Sequence, residues 1–342
     1  MNGDLLQANS RLYWFTGERK YLDWGIRLGD YYLLGTNHPT RDRKELRLMD
    51  HGGEMVNGLT EFYVILSRVD PAKKKAYEKP LREIFESILR HGRNADGMLY
   101  SSYNPQTGEN SGKFADTWGY IYDGFYTVSL VDDLPAYREA IAHALRNLKG
   151  KYEGVPWADK STMDATADST ESALNLIQRL PVASAADWCD SQIRLMWSVQ
   201  RPDGVIEGWH GDGNFARTSI MYALWKTQGV TVQPWRQDVR LGAMQQDGRL
   251  RVFLTADQPW EGRVIFDRPR HKELLHLPMD YPRINQFPEW FTVTENNELR
   301  LRKAADAKET TLAGRVLREG LPLKLAAGER ALWTIAQERS KQ

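Results

Sequence analysis

Helical segments fill the first two thirds of this chain, and the links between them alternate between short and long. That alternation limits what the chain can fold into. Apolar periodicity and punctuation place helices at 3–15, 18–35, 53–69, 73–91, 117–131, 134–149, 165–180, 183–200 and 214–228. The short links are Thr16-Gly17-Glu18, Val69-Asp70-Pro71-Ala72, the stretch 131–135 and Leu180-Pro181-Val182. Links this short force antiparallel neighbours. The long links are 36–52, 92–116, 150–164 and 201–213. Because successive helices reverse direction, all short links fall at one end of the array and all long links at the other. First helices of each pair, such as 119–130 and 218–225, are apolar nearly all round and should face inward. Second helices, such as 73–91 and 134–149, carry charge on one face and should form an outer layer. A period of about 50–65 residues fits a repeated αα-hairpin.

After Pro234 the pattern changes to strands at 238–243, 248–255, 263–267, 290–294, 298–303, 321–325 and 330–335, with turns at Asp247-Gly248 and Ala327-Gly328. The chain therefore divides into a helical domain, 1–232, and a C-terminal β-sandwich, 233–342.

Composition removes several function classes. The 342 residues carry a net charge of +1, with no basic stripe of the kind nucleic-acid binders show. No run approaches the roughly 18 apolar residues of a membrane span. Cys189, the one cysteine, permits no disulfide framework and reads as a buried helix residue. The start Met1-Asn2-Gly3-Asp4 has neither the charged nor the apolar region of a signal peptide. No Gly-rich phosphate loop follows a strand, and no His-x-x-x-His or Cys pair suggests zinc. No Gly-x-Ser-x-Gly elbow is present. No cofactor and no metal are expected. The 12 Trp and 15 Tyr exceed what 10 Phe would suggest, and their flat apolar faces suit stacking on sugar rings.

The long links end in clusters of reactive residues at the starts of inner helices. They read Asp50-His51-Gly52-Gly53-Glu54, Phe114-Ala115-Asp116-Thr117-Trp118-Gly119-Tyr120, the stretch Met163 to Glu171, and Gly211-Asp212-Gly213-Asn214, with Asn2-Gly3-Asp4 at the chain start. Repeated αα-hairpins with such a rim, followed by a β-sandwich, resemble the α/α-toroid carbohydrate-active enzymes. These are the six-hairpin glycosidase-like superfamily, which includes unsaturated glucuronyl hydrolases and several polysaccharide lyases. The resemblance covers nearly the whole chain and rests on architecture rather than on one diagnostic signature. It implies a soluble enzyme acting on an oligosaccharide or polysaccharide, with a uronic-acid-containing substrate among the options. A full ring of that type has twelve helices, more than this chain offers. Either about three N-terminal helices and a leader precede Met1, with a periplasmic or extracellular location, or the ring is smaller or open and the protein is cytoplasmic.

Hydrolysis of a glycosidic bond needs two carboxyl groups, whose separation decides the stereochemical outcome. Asp164, Asp168 and Glu171 are spaced i, i+4, i+7 and share one helix face. Like charges there repel unless a cation, an Arg or a raised pKa relieves them. Asp116 and Tyr120 share another face, with Asp123 one turn further. Asp116 and Asp123 lead the expected catalytic set, with Glu54, Asp168 and Glu171 behind them. His51, Tyr120, His210 and Arg217 are expected to position substrate, and Trp118, Trp157, Trp209 and Tyr103 to stack on it. Each has a plainer role available. Asp116 and Asp164 suit N-caps, Asp123 a buried polar pair and Glu54 a dipole complement. Arg217 suits an ion pair with a neighbouring Asp, and the tryptophans suit packing. Glycoside hydrolysis is the first expectation. The second is a lyase in which Tyr120, His51 or His210 abstracts a proton while Arg217 neutralises a uronate. The third is a non-catalytic or truncated glycan-binding protein.

Overall fold

The computed structural model describes residues 2–41, 43–155, 157, 162–206, 213–304 and 309–337. Helices α1 (Asn2–Thr16), α2 (Arg19–Leu33), α3 (His51–Val69), α4 (Pro71–His91), α5 (Trp118–Asp132), α6 (Pro135–Asn147), α7 (Thr162–Ile177), α8 (Ala183–Ser198) and α9 (Asn214–Thr227) lie where the periodicity puts them. Punctuation sets their ends. At α4, the Asp70 side chain accepts from the Lys73 backbone N–H at 2.9 Å, and Pro71 occupies the first turn.

Burial sorts the helices into two layers. α2 buries only the stripe Leu22, Gly25, Gly29 and Leu33, whereas α5 is buried continuously from Trp118 to Phe125. α1, α3, α5 and α7 pack in series, and α2, α4, α6 and α8 each back the inner helix that precedes them. α9 docks on α7 where Thr218 Oγ1 donates to the Ala167 carbonyl at 3.0 Å. This is the layering of an α/α-toroid. The expected inner and outer roles hold for α3 with α4, α5 with α6 and α7 with α8. α1 buries only Gly3, Leu6, Gln7 and Ser10 among its described residues and is no more covered than α2, and α9, expected inside, leaves Ile220 50% exposed.

The long links gather at one end. β1 (Leu46–Arg47) lies in the first long link and pairs antiparallel with β2 (Ser102–Tyr103) in the second, Leu46 opposite Tyr103. Asn94 Nδ2 in the second donates to the Tyr152 hydroxyl in the third at 2.6 Å. At the opposite end Asp132 accepts from Tyr63 at 2.8 Å, from Arg82 at 3.1 Å and from Lys74.

The later strands are β3 (Thr231–Gln233), β4 (Val239–Gln246), β5 (Arg249–Ala256), β6 (Trp260–Ile265), β7 (Glu298–Lys303), β8 (Glu309–Ala313), β9 (Leu321–Leu325) and β10 (Arg330–Gln337), with short helices α10 (Arg270–Glu273) and α11 (Gly314–Glu319). They form an antiparallel five-stranded sheet, β4-β5-β10-β7-β8, and a three-stranded sheet, β3-β6-β9. Alternate residues of β5, Leu250, Val252, Leu254 and Ala256, share one core with Trp260 and Val264 of β6 and Leu325 of β9. This is the expected β-sandwich. One expected strand does not form: 290–294 makes a single bridge, Thr292 to Asp267. Phe291 and Val293 still enter the core from it, which is why its sequence alternates like a strand. β3 and β8 are not anticipated, because one is very short and the other, Glu-Thr-Thr-Leu-Ala, lacks an apolar face.

By contacts the chain divides into one unit of Met1–Ser219 with Leu275–Gln286, and a second of Ile220–Leu274 with Phe287–Gln342. The division falls within α9, ahead of the break expected at 232/233. Segment 275–286, expected to go with the strands, belongs with the helices. Within that unit its Leu277 and Tyr281 pack on Val64 of α3, beside Trp14 of α1 and Val131 of α5. Its Asp280 accepts from Arg179, just past α7, at 3.0 Å. This strap therefore lies against several inner helices at once.

Candidate active site

The face of α7 carrying Asp164, Asp168 and Glu171 is matched by two residues of α9. Asn214 Nδ2 donates to Asp164 Oδ1 at 2.6 Å and to Asp168 Oδ2 at 3.4 Å. Arg217 Nη2 donates to Asp168 Oδ1 at 2.6 Å and lies 2.7 Å from Glu171 Oε2. The result is a ladder in which amide and guanidinium alternate with three carboxyl groups. Two further elements close on it. From α5, the Tyr120 hydroxyl donates to Glu171 Oε2 at 3.3 Å. From the strap, Asn285 accepts Arg217 Nη1 on its side-chain oxygen at 2.6 Å and offers its backbone N–H to Glu171. Asn285 has φ 58, a left-handed conformation that Asn tolerates better than most residues.

The ladder is buried, and burial governs its charges. Asp164 and Asp168 are 7% and 9% exposed, and Glu171 is 0% exposed. Burial, then the adjacent Glu171 charge, pushes Asp168 well above the usual carboxylate range, with Arg217 acting in the opposite direction. Burial also raises Glu171, although Arg217, the Tyr120 hydroxyl and the Asn285 N–H hold it back. Burial opposes the charge on Arg217, but Glu171, Tyr120 and Asp168 outweigh it and the guanidinium is held above its ordinary value. Burial and the charges of Glu171 and Asp168 push the Tyr120 phenol well up. Both remedies for the repulsion implied by the i, i+4, i+7 spacing, a cation and raised pKa values, are present together.

The other expected residues are spread more widely. Asp116 is buried at the start of α5, where its Oδ1 accepts the Thr117 N–H at 2.8 Å. Its charge is felt at Asp168. Asp123 is fully buried in mid-α5, and neither carboxyl oxygen has a hydrogen-bond partner among the described residues. Burial, opposed by Arg179, pushes it well up. At the start of α3, His51 Nδ1 lies 2.7 Å from Glu54 Oε2, and the His51 side chain is 74% exposed. Asp4, His51 and Glu54 bring ligand atoms within 4.8 Å of one another, but nothing else marks that exposed group as a metal site. A Cβ on Gly53 would lie 3.2 Å from Tyr120 Cβ, so this turn of α3 sits beside α5.

The stacking expectation fails at two positions. Trp118 is fully buried, its indole N–H donates to Ser169 Oγ at 3.0 Å, and its ring packs edge-on with Tyr122. Tyr103 is likewise core, with its hydroxyl on Ser87. Their faces are covered by protein and closed to a sugar. Trp157 is buried at 6% exposure. Trp209, His210 and Asp212 lie outside the described residues. Asn285 was missed altogether. The signal for it was the long stretch without periodicity around Pro278 and Pro282, since such connections are uncommon without a role.

No protein-family model matches the chain, and no curated protein does. Among solved structures, the chain is similar to a D-mannose isomerase, with a TM-score of 0.47 and 10% identity over 66% of this chain and 68% of that one. It is also similar to the cellobiose 2-epimerase from Spirochaeta thermophila DSM 6192, with a TM-score of 0.40 and 14% identity over 60% and 62% of the two chains. Likeness at this level concerns the fold alone and leaves the chemistry to the residues.

Proposed function

We propose that the helical unit is a carbohydrate-processing enzyme that hydrolyses a glycosidic bond, with Asp168 as proton donor and Asp164 as the second carboxyl group. The supporting observation is that both hold the same Asn214 amide nitrogen. Their oxygens are therefore closer than the roughly 6.5–9.5 Å that an inverting pair leaves for its water. A pair at about 5–5.5 Å acts by the retaining route, in which one carboxylate attacks the sugar and the other protonates the leaving oxygen. Asp168 suits the proton donor because burial and Glu171 raise its pKa well above the usual carboxylate range, against Arg217. Glu171, closed off from a substrate, is a positioning residue together with Arg217 and Tyr120. Asp116 and Asp123 rank behind this pair: one is engaged at a helix start, and the other is sealed within α5.

β-Elimination is less well supported. It needs a phenolate or imidazole base: Tyr120 is held as the phenol, His51 is exposed and sits on Glu54 at the start of α3, and His210 lies outside the described residues. The test is mass analysis of products after incubation with neutral, amino and uronic oligosaccharides, using the unmodified chain and Asp168→Asn. Fragments that together gain one water, absent with the variant, are the expected result. Unsaturated fragments would mean a lyase. A product of unchanged mass would mean isomerisation or epimerisation. No product from any sugar would favour a binding protein.

A further inference from the structure

The five-stranded sheet turns one face to the core and leaves the other open. On the open face, Arg249 and Arg251 of β5 stand opposite Ala336 and Thr334 of β10. Those two stand in turn opposite Arg300 and Arg302 of β7. Both arginine pairs come from the same tripeptide, Arg-Leu-Arg, at 249–251 and 300–302. The leucines, Leu250 and Leu301, enter the core, so strand alternation turns all four arginines outward. The sequence shows no basic run because every second residue faces inward. Two arginine rows thus flank a lane floored by short side chains. The rows are roughly 10 Å apart across the sheet, and their members roughly 7 Å apart along each strand. The lane continues over Leu332, 44% exposed, with Phe253, 37% exposed, opposite it.

Acidic groups keep to the margins of this face. β4, β5 and β10 contain none. Glu298 and Glu309 belong to β7 and the edge strand β8, and Glu309 lies 3.6 Å from Arg300. Asp257, just past β5, is taken by Arg240 at 2.6 and 2.7 Å. The bordering turns carry Asp247 and Glu329, and Glu329 accepts the Ala326 N–H at 2.8 Å. Arg249, Arg251 and Arg302 are exposed and form no ion pair among the described residues.

We infer that this sheet face holds a linear acidic glycan, one bearing carboxylate or sulfate groups. A guanidinium offers paired donors that match either anion. The short side chains of β10 leave a path for the chain between the rows, and Phe253 offers a ring face to a sugar. The choice of a glycan rests on the reading of the helical unit as a carbohydrate enzyme, whereas the attraction to a linear polyanion does not. A single nucleic-acid strand asks for successive stacking rings. This face has one, Phe253, among the described residues.

The experiment is calorimetric titration of the full chain carrying Asp168→Asn, so that no bond is cut. The probes are hexagalacturonate, a heparin-derived hexasaccharide, cellohexaose and hexathymidylate. At least one acidic glycan is expected to bind about tenfold more tightly than cellohexaose, with the advantage shrinking as salt is raised. The tighter of the two tells carboxylate from sulfate. The preference should vanish in Arg251→Gln with Arg302→Gln, shown to be folded by circular dichroism. Arg251→Lys with Arg302→Lys keeps the charge and should recover part of it. Cellohexaose bound as tightly as both acidic glycans, a preference that survives the Gln pair, or hexathymidylate bound best overturns the inference. A Lys pair as weak as the Gln pair also overturns it, because charge is then not the attraction. None of these outcomes bears on Asp168, whose product test stands or falls separately.

Discussion

Asp123 is the side chain whose placement costs the fold most visibly. It is a carboxyl group in the middle of an inner helix, sealed from water, with no hydrogen-bond partner on either oxygen among the described residues. Its folded pKa is raised, by burial first and by Glu171 and Glu61 against Arg179. A carboxyl group raised on folding supports stability fully below its unfolded value of about 3.9. That support is lost as pH climbs through the folded value. Asp123→Asn stays neutral throughout, so it should stabilise the chain near pH 7 by about 1–3 kcal/mol, with the gain narrowing toward pH 4. Chemical denaturation across that range measures it, and a gain largest in acid would contradict the assignment. At this scale the sequence was informative where geometry is local. The spacing of Asp164, Asp168 and Glu171 fixed a shared face and required a counter-charge, and Arg217 supplies it. It was silent on which aromatic faces stay open, because Trp118 is covered by residues far away in the chain.

Helices were the most legible elements, since their periodicity is set by local burial. Strands shorter than a few residues, such as β3, carry no period to read. What periodicity cannot show is how closely two helices approach. At Gly119 a Cβ would stand 2.3 Å from Ser172 Cβ, so α5 and α7 touch through a residue that has no side chain. Gly119→Ala should push them apart at a cost of about 1–3 kcal/mol, the usual penalty of overpacking. It should also weaken the contact of the neighbouring Tyr120 with Glu171. A thermal melt tests the first effect. An unchanged melting temperature would mean that the helices yield without cost.

For the whole molecule, the 232/233 break expected from sequence tracks the change from helical to strand periodicity. It does not track where side chains settle. The strap 275–286 follows strand-forming sequence yet packs on α1, α3 and α5 and reaches Arg217. A chain cut to 1–232 would leave Val64, Arg179 and the Asn285-facing donor of Arg217 without their partners. It should keep its helical far-ultraviolet signal but lose near-ultraviolet structure and bind a hydrophobic dye, the behaviour of a loosely packed state. A cooperative melt at the temperature of the full chain would show that the strap is dispensable. If the strap is needed, it also restricts how such a gene can change. Recombination that traded the strand-bearing half for another would carry off part of the helical site, so the two halves must be inherited together.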